Sequence, residues 1–135
     1  MSFLQHLHNI RANANEREAA ALNTAVSSAV TDALDFCALR DEMVQLAAKP
    51  GCEVRAFVCV SLGTIPVQHA GALQRLLRGG GGRGPMDVVC KLPAVTRMMD
   101  LLGAEFEGVR CRCAAHVGPM GESTLHFWLE APDMP

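Results

Sequence analysis

The C-terminal part of the chain contains two runs of alternating apolar and polar residues, 109–117 and 124–130, separated by a short loop rich in glycine and proline. Successive side chains of a strand point to opposite faces of a sheet, so a period of two predicts a strand for each run. Two such runs joined by a Gly/Pro loop are typical of an antiparallel hairpin. Its apolar face requires further elements to cover it, which already implies a layered fold.

The two faces of the predicted hairpin differ sharply in composition. The inner face is apolar and carries Val109, Cys111, Cys113, Ala115, Val117, Leu125, Phe127 and Leu129. The outer face combines cations with the single tryptophan of the chain, at Arg110, Arg112, His116, His126 and Trp128. We expect the inner face to close the core and the outer face to be a candidate contact surface.

Apolar residues recur at three- and four-residue steps over 19–47, and neither glycine nor proline interrupts the chain before Pro50. This period predicts one long amphipathic helix. Ser2 and Gln5 have the spacing of a capping box and predict that a short helix begins at the third residue. The polar stretch 9–18 between them is either a frayed linker or a solvated helix.

The middle of the chain alternates between shorter elements. Residues 53–61 predict a strand that is apolar on both faces, which belongs in the middle of a sheet or under a helix. Helices are predicted over 66–78 and 93–103, each with proline near its first turn, and 86–92 predicts a short strand. The expected class is α+β: a long N-terminal helix and a small, mostly antiparallel sheet with helices packed on it.

Composition fits one domain, since half of the 135 residues are hydrophobic. We expect an N-terminal helical or frayed extension over 1–18 and a single α+β domain over 19–135. The formal net charge of −2 gives no bulk attraction to nucleic acid or membrane. With no tyrosine, one tryptophan and five phenylalanines, the chain is expected to lack the rows of exposed aromatic residues on which single-stranded bases stack.

Six cysteines are present, and four of them lie within apolar helix or strand patterns, as buried thiols do. The N-terminus lacks the basic and apolar regions of a signal peptide, and no apolar run is long enough for a membrane span. The expectation is an intracellular protein with reduced cysteines, in the cytoplasm or nucleus, that is not secreted and does not span a membrane.

The segment 75–97 is basic, because five cations stand against Asp87 alone and give it a net charge of +4. It contains the glycine-rich loop 79–84, whose backbone amides are of the kind that cradle phosphate. The loop lacks the Gly-Lys-Ser/Thr ending of a P-loop, and it follows a helix instead of a strand. A flexible surface loop is the favoured interpretation, and an anion contact at Arg75, Arg78 and Arg83 is the alternative.

No catalytic, cofactor-binding or metal-binding residues are predicted. Cys111 and Cys113 are one residue closer than zinc ligands usually are, and they share the apolar face of a strand, so we expect core thiols. His116 and His126 are expected to approach each other across the hairpin, without an evident third ligand. No serine or cysteine stands in a nucleophile elbow, and the carboxylates are scattered.

The favoured function is a non-enzymatic interaction or accessory protein, acting through protein–protein contacts and self-associating through its long helix. The alternative is a winged-helix-like nucleic-acid-binding protein that uses the hairpin and the basic segment 75–97, because the order helix, strand, helix, helix, hairpin is that of a winged helix. An enzyme with an unrecognised site is a third interpretation.

The overall layout resembles that of many small uncharacterised proteins of large DNA viruses and phages, with a long N-terminal helix, a strand, a helix and a closing hairpin. The resemblance is one of general plan and covers no diagnostic residue. It implies a structural or accessory role, in the host cell if the protein is viral.

Overall fold

The computed structural model describes residues 2–79, 84–120 and 122–134. The elements follow in the order α1 (Phe3–Ala33), α2 (Phe36–Ala47), β1 (Arg55–Gly63), α3 (Ile65–Gln68), α4 (Ala70–Arg78), α5 (Pro85–Val89), α6 (Pro93–Glu105), β2 (Arg110–Val117) and β3 (Ser123–Glu130). The predicted α+β class is confirmed, because a long N-terminal helix and shorter helices accompany a small antiparallel sheet of three strands.

Helix α1 begins where the capping box predicted. The Ser2 hydroxyl accepts a hydrogen bond from the backbone N–H of Gln5 at 3.0 Å, which satisfies one of the free donors of the first turn. The polar residues 9–18 continue the helix without a break, so the solvated helix was the correct one of the two alternatives. At 31 residues, α1 is about 46 Å long at 1.5 Å per residue.

The expectation of one unbroken helix as far as Pro50 is wrong, because the chain breaks between α1 and α2. Leu34 adopts an extended backbone conformation and is buried. The carboxylate of Asp35 then accepts the backbone N–H of Ala38 at 3.1 Å and caps α2. Aspartate favours caps because its short side chain reaches nearby amides, a local effect that hydrophobic periodicity does not detect.

The sheet has the strand order β1-β3-β2, and both pairs are antiparallel. Strand β3 is therefore the central strand, whereas β1 is at an edge. The strand predicted over 53–61 was expected either in the middle of the sheet or under a helix. It lies under the helices, which bury Ala56, Val60 and Leu62. The opposite face of β1 is exposed. A β-bulge ends the strand, where Gly63 has a positive φ of 55°.

The buried side chains of the helices meet those of one face of the sheet, and together they form the core between the two layers. The buried side chains that build this layer come chiefly from α1, α6 and β3: Leu22, Val26, Val30, Val95, Met98, Leu102, Leu125, Phe127 and Leu129. The apolar face predicted for the hairpin points into the core, with the exception of Val117, which is 51% exposed at the end of β2. The sheet thus has one covered face and one open face.

Two further expectations need correction. The short strand predicted over 86–92 is wrong, because Pro85–Val89 forms a single helical turn, α5. A brief apolar run has no period that separates strand from helix, and a proline at the first position favours the helix. The helix predicted over 66–78 is divided at His69 into α3 and α4.

Candidate functional site: two exposed contact surfaces

The first surface is the open side of the sheet, which we name the outer face. Its side chains occupy alternate positions of the three strands, and none of them is buried. The outer face consists of Arg55, Phe57, Cys59 and Ser61 from β1, Arg110, Arg112, Ala114 and His116 from β2, and Thr124, His126, Trp128 and Glu130 from β3. It contains no large aliphatic side chain.

Four rings form a connected row across the outer face. The ring of Phe57 lies 5.5 Å from Trp128 and 5.2 Å from His126, measured between centroids. His126 in turn stacks on His116 at 5.6 Å with an interplanar angle of 25°. Cross-strand pairing produces this row, because Phe57 and Trp128 are directly opposite in the register of β1 and β3. Phe57 nevertheless remains half exposed, at 50%.

Three arginines lie near the Trp128 end of this row of rings. The guanidinium of Arg112 lies over the Trp128 ring, 5.7 Å from its centroid, in the geometry of a cation–π contact. Arg55 and Arg110 stand on either side of Glu130 in the register. Three arginines against one carboxylate make the outer face locally positive, although the whole chain carries a net charge of −2.

The structure brings together all five residues that the sequence proposed as a contact surface, Arg110, Arg112, His116, His126 and Trp128. Sequence reasoning missed Phe57, which was assigned only to a strand apolar on both faces. The chain was expected to lack rows of exposed aromatic residues, and on the outer face one exposed phenylalanine, Phe57, lies beside the half-buried Trp128. Few aromatic residues are present, but pairing of three strands gathers two of them and two imidazoles on one face.

The second surface is the N-terminal end of α1, residues 2–14, which we name the free segment. Every one of its side chains is exposed, and the first half-buried residue of the helix is Asn15. The exposed fraction is 74% for Phe3, 45% for Leu7 and 50% for Ile10. These large apolar side chains share one side of the helix because they are four and three residues apart.

The helix becomes part of the domain just beyond the free segment. The carboxylate of Glu18 accepts the backbone N–H of Ala72 at 3.1 Å and a guanidinium N–H of Arg75 at 2.6 Å, which ties α1 to α4. The hydrogen bond from Arg75 is the main cause that lowers the pKa of Glu18 below its ordinary value.

Arg75 is therefore engaged within the protein, in contrast to the anion contact predicted for Arg75, Arg78 and Arg83. Arg78 is exposed at the end of α4. Arg83 and most of the glycine-rich loop lie outside the described residues. Anion binding by this segment stays a prediction.

All six cysteines are free thiols, and the expectation of buried thiols is wrong, because three are exposed and Cys90, Cys111 and Cys113 are only half-buried. Two of the half-buried thiols contact each other at the margin of the core. Cys90 follows α5 and contacts Cys113 on the inner face of β2. The hydrogen bond donated by the Cys113 thiol, helped by the backbone N–H of Ala115, lowers the pKa of Cys90 to about 7 despite partial burial. The same hydrogen bond and desolvation raise the pKa of Cys113, while burial alone raises that of Cys111.

Within the described ranges, no three side chains of His, Cys, Asp or Glu gather closely enough to hold a metal ion. In the same part of the chain, no helix is both long and apolar enough to cross a membrane. No family model, curated protein or solved structure matches the chain. The two exposed surfaces are therefore the features from which a function can be argued.

Proposed function

We propose that this chain is a non-enzymatic accessory protein that acts through protein–protein contacts and associates with a second copy of itself through the free segment of α1. The observation that carries the proposal is the uncovered apolar stripe of Phe3, Leu7 and Ile10 on a helix that projects from the domain. Contiguous exposed apolar surface of this kind marks interaction sites, because covering it removes apolar area from water.

The spacing within the free segment is that of a coiled coil. Phe3, Leu7, Ile10 and Ala14 follow one another at steps of four, three and four residues, which is the a/d pattern of a heptad. The opposite side of the helix is polar, and there Gln5 donates a hydrogen bond to the side chain of Asn9 at 3.1 Å. One apolar seam and one solvated side are what a paired helix requires.

An antiparallel pair of free segments is self-complementary in size. With Leu7 of one copy opposite Ile10 of the other, Phe3 comes opposite Ala14 of the other copy, so each large ring meets a small side chain. Ala14 is the last residue of the free segment, so Phe3 of one copy reaches the end of the free segment of the other. From Asn15 onward each helix is partly covered by its own domain. Each free segment thus covers the other along its whole length, and the helix dipoles oppose each other.

The test measures molar mass by light scattering or sedimentation over a range of protein concentrations. A monomer of 14.4 kDa should be in reversible equilibrium with a dimer, because two three-turn helices form an interface at or below the usual range of about 1,200–2,000 Å². Leu7→Glu should abolish the dimer by placing a charge in the seam. Ala12→Glu, which adds the same charge on the exposed polar side of the free segment, should leave the dimer intact.

A compensating pair of variants tests the antiparallel arrangement. Phe3→Ala should weaken association because it leaves two small side chains opposite each other. Ala14→Phe should weaken it because it crowds two rings into one layer. Mixing the two variants should restore a heterodimer with large–small layers. A monomer at every concentration, or a dimer insensitive to Leu7→Glu with helical content unchanged by circular dichroism, would refute self-association through this segment.

The winged-helix-like alternative has its support in the element order and in the closing hairpin. Helix α6 would then be the recognition helix, yet it carries Arg97 alone as a cation, beside Asp100 and Glu105. Three of its residues are buried under α1 and the sheet, which leaves few side chains for phosphates or base edges. An electrophoretic shift of random duplex at micromolar protein and low salt would be needed to favour this alternative.

We place the protein inside the cell, in the cytoplasm or the nucleus. Six free thiols, three of them exposed at Cys37, Cys52 and Cys59, support a reducing compartment. An accessory role of the kind implied by the resemblance to small viral and phage proteins is compatible with this location.

A further inference from the structure

We infer that the outer face of the sheet binds unpaired nucleotide bases of single-stranded nucleic acid, with its rings stacking on the bases and its arginines holding the phosphates. This inference is independent of self-association, because it rests on the side of the sheet opposite to the helices. It differs from the winged-helix-like alternative, in which a helix and a hairpin grip a duplex.

The chemistry of the outer face suits a flat ring system as its ligand. Its non-polar contact area comes mainly from the rings of Phe57, Trp128, His116 and His126, and no Leu, Ile, Val or Met stands among its residues. A protein partner usually meets an interface core in which aliphatic and methionine side chains fill pockets between aromatic anchors. Ring faces without aliphatic neighbours match flat π-systems better, and every nucleotide base has one.

The size of the outer face fits a short run of bases. Three strands at a spacing of about 4.8 Å place the outermost strands roughly 10 Å apart, and the row from Phe57 to His116 crosses all three. A comparable area of sheet, bearing aromatic side chains, stacks about two or three unpaired bases in a common RNA-binding module. Bases inside a duplex are already stacked on each other and do not reach such a platform.

Positive charge lies at one end of the ring row, where Arg112 pairs with Trp128 and where Arg55 and Arg110 both pair with Glu130. Glu130 is the one acidic residue of the outer face. Arg55 also pairs with Glu53 at 3.1 Å, but both side chains are largely exposed, so a phosphate can replace the carboxylate at little cost. The three guanidinium groups at this end of the face are available to contact the phosphates of a bound strand.

An open groove adjoins the end of the ring row. It has a volume of about 800 Å³, and its lining includes Phe57, Arg112 and Trp128 of the outer face together with Glu42 and Leu46 of α2 and the carboxylate of Glu53. A base stacked on Trp128 would extend into this groove, where the Glu42 carboxylate can accept a hydrogen bond from an exocyclic amino group.

The test uses the fluorescence of Trp128, which is the only tryptophan in the chain. The protein is titrated at low salt with a short mixed-sequence single strand, with the corresponding duplex and with an abasic single strand of the same length. The single strand should quench the fluorescence in a saturable way. The duplex and the abasic strand should bind at least about tenfold more weakly, because neither offers free bases for stacking.

Matched variants separate stacking from charge. Phe57→Leu should weaken single-strand binding about tenfold or more, whereas Phe3→Leu on α1 should leave it unchanged. With three arginines on phosphates, the plot of log binding constant against log salt should have a slope of about −2, and Arg112→Gln should reduce that slope by about 0.7. Arg97→Gln on α6 should have no effect.

Several results would overturn the inference. One is the absence of quenching by any single strand at low salt. Another is an affinity for the abasic strand equal to that for the intact single strand. A third is an equal loss of single-strand affinity in Arg97→Gln and Arg112→Gln. Failure of every strand, with the fold of each variant intact by circular dichroism, would assign the outer face to a protein ligand instead.

Discussion

A side chain of α1 completes the N-terminus of α6, and its removal gives the sharpest test of how the two helices are joined. The first-turn donors of α6 can be followed one by one. Pro93 has no N–H, and the N–H groups of Val95 and Thr96 bond to the carbonyl of Leu92. The remaining donor, the N–H of Ala94, bonds to the Asn23 side-chain oxygen at 2.8 Å. Asn23 thus acts as a cap from another helix.

The perturbation is Asn23→Ala, and its cost follows from this geometry. Loss of a capping side chain costs about 1 kcal/mol, in a range of roughly 0.5–2 kcal/mol. Alanine also favours the interior of α1 by about 0.5 kcal/mol over asparagine, which offsets part of the loss. Thr24→Ala is the matched control, because Thr24 is exposed on the same helix and threonine has a helix propensity close to that of asparagine.

The assay is urea unfolding followed by circular dichroism, with thermal melting as a second measurement. Asn23→Ala should be about 1 kcal/mol less stable than Thr24→Ala, which corresponds to roughly 3–4 °C in Tm for a chain of this length. Asn23→Asp keeps the acceptor and adds a negative charge at the N-terminus of α6, so it should match or exceed the wild type. Equal stabilities for Asn23→Ala and Thr24→Ala would refute the capping argument.

Two other predictions concern the core and its thiols. Phe127→Ala should cost about 3–5 kcal/mol because the side chain is fully buried, whereas Phe57→Ala, also on the sheet but half exposed, should cost much less in the same unfolding assay. Alkylation of Cys90, followed by mass spectrometry, should have its midpoint near pH 7, and Cys113→Ala should move that midpoint upward by removing the hydrogen bond. The pKa of folded Cys90 lies below its ordinary value of 9.0, so the ionised thiol stabilises the folded state. Its contribution to the free energy of unfolding grows as the pH rises from about 7 to 9, and it is lost as the pH falls through 7. A stability that falls over this interval, or a Cys90 midpoint unchanged by Cys113→Ala, would contradict the assignment.

The fold could be predicted from the sequence wherever one local rule acted alone. The strands of the hairpin follow from a strict period of two, and the start of α1 follows from Ser2 as a cap. Prediction failed where a second, local interaction opposed the period. The Asp35 cap divides a continuous apolar pattern, and the apolar run 86–92 gave no period by which to recognise the turn of α5.

Only part of the candidate contact surface could be predicted, because its residues come from strands that are both near and distant in the sequence. Hairpin strands are neighbours in sequence, so the outward positions of β2 and β3 could be assigned together. Phe57 belongs to β1, which pairs with β3 although residues 64–122 lie between the two strands. Its orientation depends on which face of β1 the helices cover, and both faces look apolar in the sequence. The aromatic row is a property of strand order, which pattern analysis of single segments does not provide.

The two surfaces can be used at the same time, because they share no residue. The free segment precedes every buried contact of α1, and the buried side of α1 packs on the covered face of the sheet. A dimer formed through the free segments would therefore leave both outer faces open and hold them on one particle. Two linked sites bind one long strand more tightly than either does alone, because the second contact becomes intramolecular. Leu7→Glu should accordingly weaken binding of a long single strand while binding of a short one stays unchanged. Equal losses for long and short strands would show that the charge disturbs the outer face itself.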